Sequence, residues 1–193
     1  MYKKINHRHF VKDFHGAIVI EFVWVFLIIS IFIKAMIFVA ENYSTMGKLD
    51  RISYSLAGII RERTKLYNDD GLLTQTQAEQ LKMLADKMLL SSGFSPQDLS
   101  IKIETLHFMP EDSSNIGERA IDNTKSLSFN VGPCEPQKPL QELKNLSSFS
   151  NAGRWIPLYQ VTLCLSASTH SVTLSNFGWP TIPIKSSAIT IER

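Results

Sequence analysis

Glu21 is a carboxylate set five residues after Gly16, inside a run where almost every other side chain is apolar. An ionisable group is expensive in hydrocarbon and calls for a partner of opposite charge. The sequence offers one on a condition. A chain cut after Gly16 would begin with the free amine of Ala17, and Glu21 lies one helical turn further on. The carboxylate would then neutralise its own amine or that of an adjacent subunit, near the positive end of the helix dipole. Phe22 follows directly. The alternative is an uncleaved signal anchor with an incidental glutamate.

Cys134 and Cys164 are the two cysteines. If their part of the chain is exported to an oxidising compartment, a disulfide is the natural reading, with two separate buried thiols as the alternative. Closing a loop of that length stabilises a fold by roughly 3–4 kcal/mol in the chain-entropy view. The histidines suggest less. His7 and His9 sit in the polar leader, and His107 and His170 stand alone in strand-like segments. No phosphate-binding glycine loop, Gly-x-Ser-x-Gly elbow or Cys/His zinc spacing is present, so the sequence points to no enzyme, metal or cofactor. A net charge of +2 is too small to suggest a nucleic-acid partner.

The element that would carry Glu21 is Ala17–Ala40, 24 residues in which only Glu21 and Lys34 are charged. As a helix it spans roughly 36 Å, enough for a hydrocarbon core of about 30 Å. Its sixteen Leu, Ile, Val and Phe residues favour insertion by on the order of 7 kcal/mol, against about 3 kcal/mol for one central lysine. The apolar side wins. Lys3, Lys4, Arg8 and Lys12 precede the run with only Asp13 against them, which keeps this leader in the cytoplasm and sends the C-terminal part outward. A removable secretory signal fits poorly: cleavage after Ala40 or Ala35 would put Phe38 or Ile33 at the third-last position, where a small residue is needed.

Beyond the membrane run the helix pattern continues. Leu49, Ile52, Leu56, Ile59 and Leu66 recur at heptad-like spacing with Arg63 in register, and Lys48, Asp50, Arg51, Arg61, Glu62 and Lys65 lie mainly off that stripe. Gly47 and Gly58 each weaken such a helix by about 1 kcal/mol, so it needs support from its own domain or from neighbouring subunits. Asn68–Gly71 signals a turn. A second helix follows, with Thr76 and Glu79 as a capping box, an apolar face of Ala78, Leu81, Leu84, Ala85 and Met88, and an end at Gly93 and Pro96.

The period then changes to two. Ile101-Ile103-Thr105, Leu127-Phe129-Val131, Tyr159-Val161-Leu163-Leu165 and Ile189-Ile191 predict strands of a small antiparallel sheet. The stretch from Gly132 to Gly153, rich in Pro, Ser and Asn, predicts a long excursion that a Cys134–Cys164 bridge would tie to the sheet. Trp155, Tyr159, Phe177 and Trp179 are candidates for the sheet core. No internal repeat or low-complexity tract is evident. The fold class is α+β: a long N-terminal transmembrane helix continuing into a domain with a second helix and a small antiparallel sheet.

The junction of Gly16, four apolar residues, Glu21 and Phe22 resembles a type IV prepilin processing site. Together with the long apolar stretch and the domain that follows, it is similar to the TadE/TadF pseudopilins of tight-adherence (Flp) pilus systems. The size of the part beyond the membrane places it closer to TadF. The resemblance implies a cytoplasmic leader 1–16 removed after Gly16 by a prepilin peptidase, a transmembrane helix 17–40, a helix continuation 41–67 and a periplasmic domain 68–193. It implies a single pass of the bacterial inner membrane, N-terminus in the cytoplasm. The expected function is pilus assembly and adherence as a minor pseudopilin, with other pilins and pseudopilins (Flp/TadE-like) as partners and no small-molecule substrate. The rival readings are an uncleaved assembly scaffold, a type II secretion pseudopilin and an anchored periplasmic binding module.

Overall fold

The computed structural model describes residues 14–67, 72–92, 99–109, 119–166 and 183–192. The basic leader up to Asp13, the Asn68–Gly71 turn, Gly93, Pro96, His170, Phe177 and Trp179 lie outside them. Helix α1 runs Phe14–Tyr67 and α2 Gln75–Ser91. Strands β1 Leu99–Leu106, β2 Ser128–Val131, β3 Leu158–Leu165 and β4 Ile184–Ile191 form a sheet of order β2-β1-β3-β4, antiparallel at every pairing. This is the α+β plan expected. The chain divides into two compact units, Met1–Ser44 and Thr45–Arg193.

In the first unit the large apolar side chains from Val19 to Val39 are exposed, apart from half-buried Phe38. The most apolar 18-residue window has a mean hydropathy of 2.7 and none of it is buried. A water-soluble surface rarely carries an apolar patch of more than a few hundred Å². The helix is therefore built for a solvent other than water. Ser30 removes its own polarity by donating its hydroxyl to Phe26 O at 2.8 Å.

In the second unit the front of the sheet packs Leu99, Ile101, Ile103, Tyr159, Val161, Leu163, Leu165 and Ala188 against Leu49, Ile52, Leu56, Ala57 and Ile60 of α1 and Ala78, Ala85 and Leu89 of α2. Each fully buried Leu or Ile contributes about 1.5–3 kcal/mol, so this layer dominates the stability of the domain. The expected stripe on α1 holds at Leu49, Ile52 and Leu56 but not at Ile59, which is 41% exposed. A helix advances 3.6 residues per turn rather than the 3.5 of a heptad, so the next inward positions are Ala57 and Ile60. On α2 the same drift leaves Leu84 exposed and buries Leu89. Its capping box is also two residues earlier than Thr76 and Glu79: Thr74 is the N-cap, and its N–H donates to Gln77 Oε1 at 2.9 Å.

Strand β2 begins after Leu127, because Leu127 N–H donates to Thr105 Oγ1 at 2.9 Å and a side chain has taken the ladder position. Strand β3 departs from the expected alternation altogether: all eight residues are buried. Its second face is covered by the excursion. That segment leaves β2 at Gly132 (φ +90°), whose open side adjoins Ser100, and crosses behind β3. Lys102 Nζ meets Glu135 Oε2 at 2.5 Å, Lys185 Nζ donates to Glu135 O at 3.0 Å, and Gln160 Nε2 donates to Lys138 O at 3.2 Å. A 3-10 helix, Leu140–Leu146, follows and places Leu140 in a second core with Leu106, Phe108, Trp155 and Leu158. Trp155 and Tyr159 are buried, as their aromatic character predicts, but on opposite faces of the sheet. On β4 the buried residues are Ser186 and Ala188, while Ile191 is exposed.

Candidate functional site: the exposed helix and its junction

The junction residues fall on one stretch of α1. Gly16 and Ala17 are helical, and Glu21 follows Ala17 by one turn, a rise of about 6 Å. Glu21 is exposed, as is Phe22, whose ring stacks on Phe26 with centroids 6.4 Å apart. Among the described residues neither Glu21 nor Lys34 takes part in an ion pair. The backbone geometry thus permits the pairing of Glu21 with an amine at Ala17. The part of the leader up to Asp13, which would first have to be removed, lies outside the described residues.

The part of α1 in the second unit has two sides. Inward, Ser53 is fully buried among the apolar residues; its Oγ stands 2.9 Å from Ser186 Oγ, which donates to Asp50 Oδ1 at 2.6 Å. Sequence periodicity missed this polar pair because Ser53 and Ser186 have no apolar signature. Outward, Tyr54 and Ile59 are exposed, and a Cβ at either Gly47 or Gly58 would meet nothing within 4 Å. These glycines stand close to three helical turns apart and therefore face the same side. Each follows a tyrosine by four residues, in Tyr43-Ser-Thr-Met-Gly47 and Tyr54-Ser-Leu-Ala-Gly58.

Cys134 and Cys164 form a disulfide with a Cα–Cα separation of 5.5 Å. It anchors the excursion to the central strand, as expected if the domain is exported. His107 packs edge-on against Tyr159 with centroids 5.9 Å apart. Burial pushes its imidazole below the usual value, against the opposing pull of Glu192. The Arg119 guanidinium lies 4.1 Å over the Trp155 ring, a cation–π contact that closes the second core. Among the described residues no group of three His, Cys, Asp or Glu side chains is placed to hold a metal ion.

An uncovered apolar helix long enough to cross a membrane, followed by a second helix and a small antiparallel sheet, places the chain in the pilin-like α+β class. The chain belongs to the TadF family, described as "Putative tight adherence pilin protein F", whose model matches residues 9–193. The likeness thus extends over nearly the whole chain and not only the junction on which Gly16, Glu21 and Phe22 carry it. No curated protein and no solved structure matches.

Proposed function

We propose that this chain is a minor pseudopilin of a tight-adherence (Flp/Tad) pilus machine. It is inserted once in the inner membrane, processed after Gly16 by a prepilin peptidase, and acts in pilus assembly and adherence through its helix and periplasmic domain. The observation that carries this reading is the bare apolar helix of a tight-adherence pilin family member, bearing a carboxylate one turn from the residue that processing would make the terminus. In the membrane the helix is solvated by lipid; in a fibre the same surface packs on neighbouring helices. Glu21 guides that transfer by neutralising an Ala17 amine. The domain, structural rather than catalytic, meets other pilins and pseudopilins.

N-terminal sequencing of the protein from cells with and without the peptidase tests the reading. A mature start at Ala17, lost with the enzyme or with Gly16→Ala, is the expected result. An intact basic leader in both backgrounds makes the chain an uncleaved anchored scaffold instead. Glu21→Ala separates the second step: normal processing with poor piliation is expected, and normal piliation removes the proposed role of the carboxylate.

A further inference from the structure

Among the described residues, two buried oxygens behind the sheet have no hydrogen to accept: Glu104 Oε2 and Gln160 Oε1. Glu104 and Gln160 are direct cross-strand partners on β1 and β3, so their side chains leave the same face as neighbours, with Cβ atoms about 4.5–5.5 Å apart. The remaining polar end of each is already engaged by the overlying excursion. Gln160 Nε2 donates to Lys138 O at 3.2 Å, and the Leu140 N–H donates to the Glu104 carboxylate. Two unmatched acceptors thus belong to neighbouring side chains on one face, under a segment that both of them hold down. An ionised carboxylate beside an amide oxygen, both away from water, is unfavourable on two counts, since each acceptor lacks a donor and the charge lacks solvation.

One proton resolves both. We propose that Glu104 is carried as the neutral carboxylic acid in the folded domain and donates Oε2–H to Gln160 Oε1, making the excursion's closure over the sheet a proton-linked latch. Protonation converts Glu104 Oε2 from an orphan acceptor into a donor and gives Gln160 Oε1 its missing partner. The carbonyl oxygen of Glu104 goes on accepting from Leu140 at the start of the 3-10 helix.

The charges around the site are consistent with this. Lys102, on the same strand and face, favours the ionised form, but its ammonium is drawn to Glu135, whose own carboxylate disfavours it. Opposite Glu104, β2 presents Ser128 and β3 presents Gln160, both uncharged. In the overlying segment Lys138, Glu142 and Lys144 are exposed to solvent. Burial is the largest influence and raises the Glu104 carboxyl above its usual value. A carboxyl that holds its proton more tightly when folded favours the folded, latched form at low pH, and that contribution is lost as pH rises through the raised value. The domain is expected to meet the medium outside the inner membrane, so the latch would respond to external acidity. It does not depend on leader processing, and either claim survives the failure of the other.

The test uses the full-length protein in lipid nanodiscs with glutamate carboxyl carbons labelled for NMR. The resonance missing in Glu104→Gln identifies Glu104. Its titration midpoint is expected above that of the exposed glutamates, and Gln160→Leu, which removes the acceptor of the proton, is expected to lower it. A wild-type midpoint equal to the exposed glutamates overturns the proposal, meaning that a water or an ion satisfies the two oxygens; an unmoved midpoint in Gln160→Leu overturns the pairing. Hydrogen exchange gives the conformational readout. After correction for intrinsic rates, exchange of the amides of residues 140–146 is expected to rise several-fold as Glu104 ionises in wild type. It should stay flat in Glu104→Gln, which supplies a permanent N–H donor. Equal pH dependence in the two proteins overturns the latch.

Discussion

Ser186 donates its hydroxyl to Asp50 Oδ1 at 2.6 Å, tying the edge strand β4 to helix α1 across an otherwise apolar layer. Ser53 sits between them, 2.9 Å from Ser186 Oγ and 2.9 Å from Asp50 O. Ser186 gives its one hydrogen to the carboxylate, which leaves the single Ser53 hydrogen to be shared between Ser186 Oγ and Asp50 O. Apolar packing against a sheet is non-directional. The polar trio is what selects one register of the helix along β4.

Removing that acceptor leaves a buried hydroxyl short of a partner. Asp50→Ala is expected to destabilise the domain by about 1–3 kcal/mol, with Asp50→Asn, which keeps an acceptor oxygen, costing less. Thermal melts of the two variants check this. Equal melting temperatures for wild type and Asp50→Ala would show that water replaces the carboxylate without loss.

Two glycine substitutions should have opposite effects. At Gly132 the backbone is at φ +90° and a Cβ would collide with the Ser100 side chain, so Gly132→Ala is expected to cost more than about 1 kcal/mol. At Gly58 there is open space on a helix, and Gly58→Ala is expected to raise stability by up to about 1 kcal/mol. If neighbouring helices approach that face in a fibre, the stabilised Gly58→Ala protein will assemble less well. Melting curves and pilus counts on the same strains decide it, and normal assembly would remove Gly58 from the packing face.

His107 makes stability depend on pH in the acid range. Its pKa is lowered in the folded state by burial, so the unfolded chain binds the proton more readily. The histidine therefore penalises folding progressively as pH falls below its ordinary value of 6.5 towards the lowered one, and has no effect well above 6.5. His107→Phe is expected to flatten that limb of the stability curve while leaving neutral-pH stability little changed. Denaturant melts between pH 7.5 and 5 give the comparison, and parallel curves for both proteins would contradict it.

The disulfide holds a segment that would otherwise be a long loop over a hydrophobic face. Cys134→Ser is expected to cost about 2–5 kcal/mol and to expose the second core around Trp155. Non-reducing gels, melting temperature and tryptophan fluorescence report on the bond, the stability and that core in turn. A variant with wild-type melting would mean that Lys102, Lys185 and Gln160 suffice to hold the segment.

The sequence by itself determined what depends on local period and composition. Sixteen branched or aromatic apolar residues in one run make a helix long and apolar enough to cross a membrane whatever follows it. Period-two runs at Ile101, Phe129, Val161 and Ile189 likewise foretold four strands, since side-chain alternation is a property of extended chain. What only the tertiary structure decided is which faces are covered. Gln160 and Thr162 look like solvent positions in sequence and are buried, because the excursion, pinned by Cys134–Cys164, closes the back of β3. Ser53 faces the core and Ile59 does not, because a straight helix on a sheet keeps a 3.6-residue period where a heptad guess drifts by a position within three turns. Burial is a relation between distant segments, and a pattern read along one segment contains no record of what the others will lay against it.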